Sequence, residues 1–496
     1  MQPSVILLLP VLLPVLAGLA VAFVKPLHNK KLCFSFTFAM LFVTVLSLLP
    51  ILLGEVQDLH LLQLSDNLPI FLHKDTLGCF FAVVMAVVWC VAGLYSFEYM
   101  AHEEHLNRYY AFYLCTLGAL MALCFAGSIV TFYMFYEAMT LLTVPLVMHT
   151  MQKDAVAAGI KYLIYSVTGA SLALLGIFIL SPYVDTLSFT AGGVLNWEKL
   201  AGKESLLLVT IFLMLLGFGT KAGMFPLHGW LPTAHPVAPA PASAVLSGII
   251  TKAGVLGILR LIFFFVGPDT IRGTWVQTAF MTLTLFTVFM GSLLAFKEGL
   301  LKKRLAYSSV SQVSYILFGI SALHPIGLVG ALLHVCAHAL IKNTLFMSAG
   351  AVIHQTGKTR VEELDGIGKQ MPAVMWCFTI AAVGLVGIPP CLGFVSKWYL
   401  AQGALSMSGV PAAYQYVAPA VLLISALLTA GYLLTITIHG FFPGKLADGS
   451  TPFYEKKEPG WKMLLPLMLL AGIMLVLGMF PNALIDLFTG IAGGIL

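Results

Sequence analysis

The chain has 496 residues, of which 59% are hydrophobic and 9% charged, with a formal net charge of +5 and a mean hydropathy of +0.96. A soluble chain carries about 25% charged residues, so this composition excludes a soluble enzyme and a disordered chain. A charge of +5 over such a length makes no basic patch for nucleic acid. The apolar runs are ~20 residues long and unbroken, which predicts spanning helices rather than the ~10-residue alternating strands of a barrel.

In chain order the predicted spans are 4–24, 32–53, 76–97, 110–128, 129–149, 159–181, 205–226, 241–266, 273–296, 304–322, 326–353, 373–404, 412–441 and 461–488. The expectation is an all-α polytopic membrane protein of about fourteen helices. Residues 1–24 lack a positive n-region and an A-x-A site, and Lys25, Lys30 and Lys31 follow, so they read as a membrane helix and not a cleaved signal. Long loops are expected at 54–75, 182–204 and 442–460. With the N-terminus outside, 17 basic residues, Lys161, Lys302 and Lys445 among them, fall on inside loops and 4 on outside loops. The positive-inside rule expects such a bias, and it places both termini outside the cytoplasmic membrane. The eight cysteines lie within apolar runs without CxxC spacing and read as packing residues, not a disulfide framework or metal site.

Five basic residues remain inside spans: Lys221, Lys252, Arg260, Lys342 and Lys397. Arg260 is near enough to a helix end to snorkel. Of the acids, only Glu137 sits deep. Each mid-membrane charge costs about 2.5–3.5 kcal/mol on insertion scales. A structural Lys–Glu bridge can account for one lysine, because there is one acid; the others need water, histidine, carbonyls or a neutral amine. Burial favours the neutral amine, and a line of such amines can pass protons. His334, His338 and Lys342 fall at i, i+4 and i+8, on one helix face over about 12 Å, and extend the relay. A structural histidine pair is the alternative; zinc would need further ligands, and two histidines on one face cannot ligate one haem from opposite sides. His228 and His235 lie in a proline-rich linker on the cytoplasmic side, where His228 either feeds protons inward or steadies the turn.

Gly/Pro interruptions stand beside Lys221 (Leu216 to Pro226) and before Lys397 (Gly384 to Pro390). Broken helices at matching places in two halves point to an ion path. Ile160-Lys161 and Ile341-Lys342 each stand the same distance before a glycine. The partners are five spans apart, so the expected organisation of the single membrane domain 1–496 is N-terminal helices (1–109), two inverted repeats of five helices (110–266, spans four to eight; 273–441, spans nine to thirteen) and a C-terminal helix (442–496). Spans seven and twelve are the interrupted ones. The echo also suggests that Lys161 lies deeper than its window places it.

At Phe132-Tyr-Met-Phe-Tyr-Glu137-Ala-Met, Gly219-Thr-Lys221 to Pro241, Thr251-Lys252-Ala-Gly, Arg304-Leu-Ala-Tyr-Ser-Ser-Val-Ser-Gln312, His334-x3-His338-Ala-Leu-Ile-Lys342 and Gly393-Phe-Val-Ser-Lys397 the sequence resembles the antiporter-like membrane subunits shared by respiratory complex I, membrane-bound hydrogenases of the formate-hydrogenlyase type and Mrp-type cation/proton antiporters. The resemblance implies that Glu137 pairs with Lys221 and tunes it, that Lys252 connects two half-channels, that His334, His338 and Lys342 carry protons through the second half, and that Lys397 is the terminal exchange site. A unit charge about 4 Å away at an effective dielectric of ~20 is worth about 4 kcal/mol, enough to toggle a buried amine. His228 and Lys161 are candidates for proton uptake. The sequence ends with its last span, so the long lateral helix of the distal complex I subunit is not expected. Lysine at 397 argues against the complex I subunit that has glutamate there.

The expected function is thus a proton-translocating subunit of a complex I-like or hydrogenase-like complex. Its expected partners are further antiporter-like subunits, a peripheral redox arm and the lipid bilayer. No flavin, iron–sulfur, nucleotide or metal motif is seen, so cofactors are expected in partner subunits. The alternative is an Mrp D-like subunit exchanging protons for sodium without redox chemistry. A scaffold with a dead channel would gain nothing from unpaired lysines.

Overall fold

A computed structural model describes residues 4–65, 68–444 and 454–496; Lys445 lies outside them. The described residues are mainly helical, with an antiparallel hairpin, β1 (Leu59–Gln63) and β2 (Pro69–Leu72), in the first long loop. The helices are α1 (Leu9–Phe23), α2 (Lys30–Leu46), α3 (Thr76–Tyr99), α4 (Leu106–Cys124), α5 (Ile129–Val147), α6 (Lys153–Leu180), α7 (Glu204–Ala222), α8 (Leu231–Val237), α9 (Ala240–Val266), α10 (Trp275–Lys297), α11 (Leu301–Ser321), α12 (Pro325–Thr356), α13 (Pro372–Val386), α14 (Leu392–Ser406), α15 (Tyr414–Phe441), α16 (Trp461–Met479) and α17 (Asn482–Ile495). Short turns of helix join some of them.

Among the described residues, eleven helices are long and apolar enough to cross a membrane. The windows 110–128 and 304–322 are also helical, as α4 and α11. The window 373–404 is two half-helices, α13 and α14, as the Gly/Pro interruption predicts. The window 461–488 is not one helix: Phe480 and Pro481 divide it into α16 and α17. Proline at 481 lacks the N–H that would continue the ladder, so the chain restarts there.

Burial sorts the helices. The most apolar stretch of α9 is 100% buried and that of α12 is 89% buried, whereas those of α2, α15 and α16 are 33% buried. A helix that is apolar all round and faces other helices everywhere is a core element; one exposed on most of its circumference faces lipid. The two core helices carry Lys252, His334, His338 and Lys342. α9 contains two π-helical segments, Leu246–Ile250 and Arg260–Val266, on either side of the turns that hold Lys252. Such widened turns leave carbonyls free of the ordinary ladder.

Three expectations need correction. Arg260 does not snorkel. It is 1% exposed and forms a two-pronged ion pair with Asp75, the residue that caps α3, between the rings of Phe189 and Phe264. Lys161 is not a loop residue but lies in the third turn of α6. Lys302 is likewise not in a loop: it is the second residue of α11 and 9% exposed.

Candidate functional site

The break after Lys221 is built by glycine and proline. α7 ends at Ala222, a turn follows, α8 runs to Val237, and Pro239 separates it from α9. The linker expected here is therefore partly helical, and His235 is fully buried within it. Lys221 occupies the last turn of α7, fully buried. Its Nζ donates to Tyr162 Oη at 3.0 Å and Ser166 Oγ at 2.9 Å, both on α6. It also lies 4.5 Å from the Tyr162 ring centroid and 5.8 Å from that of Tyr136. Tyrosine faces and hydroxyls are the softer substitutes for water available in a dry site.

Glu137 stands one residue from Tyr136 on α5, half-buried, and its Oε1 has no hydrogen-bond partner among the described residues. The implied pairing of Glu137 with Lys221 is not a contact ion pair. The two interact through space only, while Lys221 bonds to hydroxyls. Their coupling is thus weaker than the about 4 kcal/mol of a pair at about 4 Å.

α9 crosses α7 closely at this point: a Cβ at Gly254 would lie 2.6 Å from the Ala222 nitrogen. Lys252, two residues earlier, is 1% exposed, and its Nζ hydrogen-bonds His338 Nδ1 on α12 and the Ser247 carbonyl (3.2 Å). The His338 and His334 rings are 6.2 Å apart. His334 Nδ1 hydrogen-bonds Ser396 Oγ on α14 at 2.8 Å. The Nε2 atoms of both histidines are buried without a partner among the described residues. The Tyr315 ring lies 5.6 Å from that of His334 and 4.8 Å from Lys397 Nζ. Lys397 donates to the carbonyls of Leu385 (2.6 Å) and Val386 (3.1 Å), the last residues of α13. Those carbonyls are free because the helix stops at Gly387, whose φ is +94°.

The sequence-predicted residues therefore fall into one run, Lys252, His338, His334 and Lys397, with Lys221 adjoining it across the α7–α9 contact. Lys342 is fully buried one turn beyond His338, but α11 holds it through the Leu305 carbonyl (3.1 Å) and Ser308 Oγ. It reaches Lys252 and His338 electrostatically, with no direct contact. Lys161 donates to Thr233 Oγ1 at 2.9 Å on α8 and acts electrostatically on the half-buried His228. The two uptake candidates thus share one side of the break. Tyr162, Ser166, Tyr315 and Ser396 were missed, because hydroxyls in apolar helices carry no charge signal. Among the described residues no group of three or more His, Cys, Asp or Glu is placed to hold a metal ion.

Comparison with known proteins bears on this arrangement. The family described as "NADH:quinone oxidoreductase/Mrp antiporter, TM" matches residues 126–429, and that described as "NADH-Ubiquinone oxidoreductase (complex I), chain 5 N-terminus" matches residues 62–110. NADH-quinone oxidoreductase subunit N of Desulforudis audaxviator is 33% identical over 83% of this chain and 82% of its own length. Hydrogenase-4 component B of Escherichia coli is 30% identical over 82% of this chain and 62% of its own length. A chain of the Mrp complex from Dietzia sp. superposes with a TM-score of 0.84 at 23% identity, over 99% of this chain and 97% of that one. The matched stretch begins before α5 and ends within α15, so it contains every relay candidate from Glu137 to Lys397, and this multi-span membrane chain belongs to the antiporter-like subunit family of NADH:quinone oxidoreductases and Mrp antiporters.

Proposed function

We propose that this chain moves protons through the cytoplasmic membrane as an antiporter-like subunit of a complex I-like or membrane-hydrogenase-like assembly, with the redox centres in partner subunits. One observation carries the reading: amines and imidazoles form a run through the two most buried helices, with too few acids to neutralise them. Protons taken up near Lys161 and His228 reach Lys221, cross to Lys252, pass along His338 and His334, and leave at Lys397. Lys342 sets the charge beside this run, or joins it when its hold on Ser308 relaxes. Glu137 biases Lys221 from a distance, as the charge that a neighbouring subunit can shift.

Two halves built alike support the lateral path. Tyr136 beside Lys221 and Tyr315 beside Lys397 stand at matching positions, as do Lys161 and Lys342. Inverted repeats at 110–266 and 273–441 account for this, with both termini on the outer side. The second reading, proton exchange for sodium in an Mrp-type complex, is favoured by the family description and by the match to the Mrp complex.

The test is proton flux in vesicles holding the intact complex. Lys221→Ala is expected to abolish flux under either reading, and normal flux in that variant would sink both. Flux that needs a reductant supports the redox-driven pump; sodium-dependent proton efflux without reductant supports exchange.

A further inference from the structure

Lys302 has no place in the path above, yet it is buried, at 9% exposed. It sits in the first turn of α11, where a cation opposes the helix dipole. Its Nζ donates to the carbonyls of Pro236 (3.2 Å) and Ala238 (2.5 Å), which the proline break between α8 and α9 leaves without ladder partners. Among the described residues it makes no ion pair. It lines a cavity of about 320 Å³ together with Tyr99, Glu103, Thr150 and Thr359. The Thr359 end of this cavity is exposed, on the side that carries most of the basic loops.

His235, the residue before Pro236, is fully buried, and neither ring nitrogen has a hydrogen-bond partner among the described residues. Its ring stacks on Phe346 of α12 at 4.7 Å, one turn from Lys342. Lys302 and Lys342 are the two cations that act on it electrostatically. A buried imidazole kept only for packing would bond through at least one nitrogen, since each orphaned group costs about 1–3 kcal/mol.

We propose that this cavity is a second proton-uptake site, feeding Lys342 through Lys302 and His235. The inference rests on the relay reading above. The Lys302 ammonium gives a proton to a His235 nitrogen by way of a bridging water, since the two are not hydrogen-bonded at rest; the resulting imidazolium passes a proton in the same way to the neutral Lys342 amine; water in the cavity restores the Lys302 proton. Nothing else is consumed. The scheme accounts for Lys342 lying beside the first run instead of in it, as the head of its own branch.

The test uses the intact complex in vesicles. Lys302→Arg keeps the charge and the donors to both carbonyls, but guanidinium does not release its proton. It is expected to assemble and to lose proton flux at least tenfold; a purely structural Lys302 would be rescued by arginine. His235→Gln is expected to show the same loss. A Thr150→Cys variant treated with a cationic thiol reagent is expected to be blocked, while the untreated variant and treated wild type are not; this arm decides the matter should Lys302→Arg fail to assemble. Flux within twofold of wild type in Lys302→Arg and His235→Gln, alongside loss in Lys221→Ala, would overturn the second uptake site and leave the relay standing. Normal flux in Lys221→Ala would overturn both.

Discussion

At the residue scale, the position of Lys397 depends on a side chain that is missing. A Cβ at Gly387 would meet Lys397 Cδ at 2.8 Å, and the φ of +94° there suits glycine alone. Gly387→Ala therefore strains the backbone and pushes the lysine stem off the end of α13. Strain of this kind costs about 1–3 kcal/mol. The expected outcome is lower thermal stability of the purified complex together with reduced proton flux. A variant that melts like wild type and transports normally would show that the stem has another resting place. His338 is the second residue to test, since it joins Lys252 on α9 to the histidine run on α12. His338→Gln keeps an acceptor but cannot exchange protons, so flux is expected to fall at least tenfold with assembly unchanged on size-exclusion chromatography.

At the element scale, what the sequence displays is charge in the wrong solvent, and what it conceals is how helix ends tuck under one another. Lys221, Lys252, Lys342 and Lys397 stand out because an amine in an apolar window has no ordinary explanation. Arg260 and Lys302 were misplaced for one shared reason: a window assigns a charge near a helix end to water, whereas α3 and the α8–α9 break cover those ends. The resemblance pairs Glu137 with Lys221, and the two do act on each other electrostatically, but shared motifs say which residues occur together and not how far apart they stand.

The Arg260–Asp75 pair makes a test at this scale, because it ties the end of α9 to the start of α3. Burial raises the Asp75 carboxyl, but the Arg260 charge and hydrogen bonds, with the Gly78 N–H, outweigh it and hold the group below its ordinary value of 3.8. A depressed folded value means that the stabilisation is present above the unfolded value and is lost as pH falls through the folded one. Wild type is therefore expected to keep this contribution in full above the carboxylate range and to lose it progressively as pH falls below 3.8. Asp75→Asn still caps α3 but leaves a buried guanidinium unpaired, at a cost of about 3–5 kcal/mol. Thermal melts from pH 3 to 7 are expected to show a lower, flatter profile in the variant. A melt equal to wild type at pH 7 would mean that water reaches Arg260.

At the scale of the whole molecule, the proposed orientation rests on which helices can cross. α13 and α14 have 15 residues each, about 22 Å, and α17 has 14, about 21 Å. None reaches through a hydrocarbon layer of about 30 Å. The first two therefore share one crossing, and α17 stays on the side where α16 emerges. With the proposed fourteen crossings the number stays even, and the basic residues sort between the two sides as proposed. Discounting Lys161 and Lys302 lowers the inside total from 17 to 15 against 4, which leaves the bias intact. Had α13 and α14 each crossed, every later loop would change sides, and Lys456, Lys457 and Lys462 would face outward. Sided labelling separates the two cases. In intact cells a membrane-impermeant thiol reagent is expected to label Glu198→Cys, in the loop before α7, and to spare Lys456→Cys until the membrane is opened; both positions are exposed on the chain, so accessibility across the bilayer is the only difference between them. Labelling of Lys456→Cys from outside would reverse the second half, and with it the assignment of Lys397 as the outward exit.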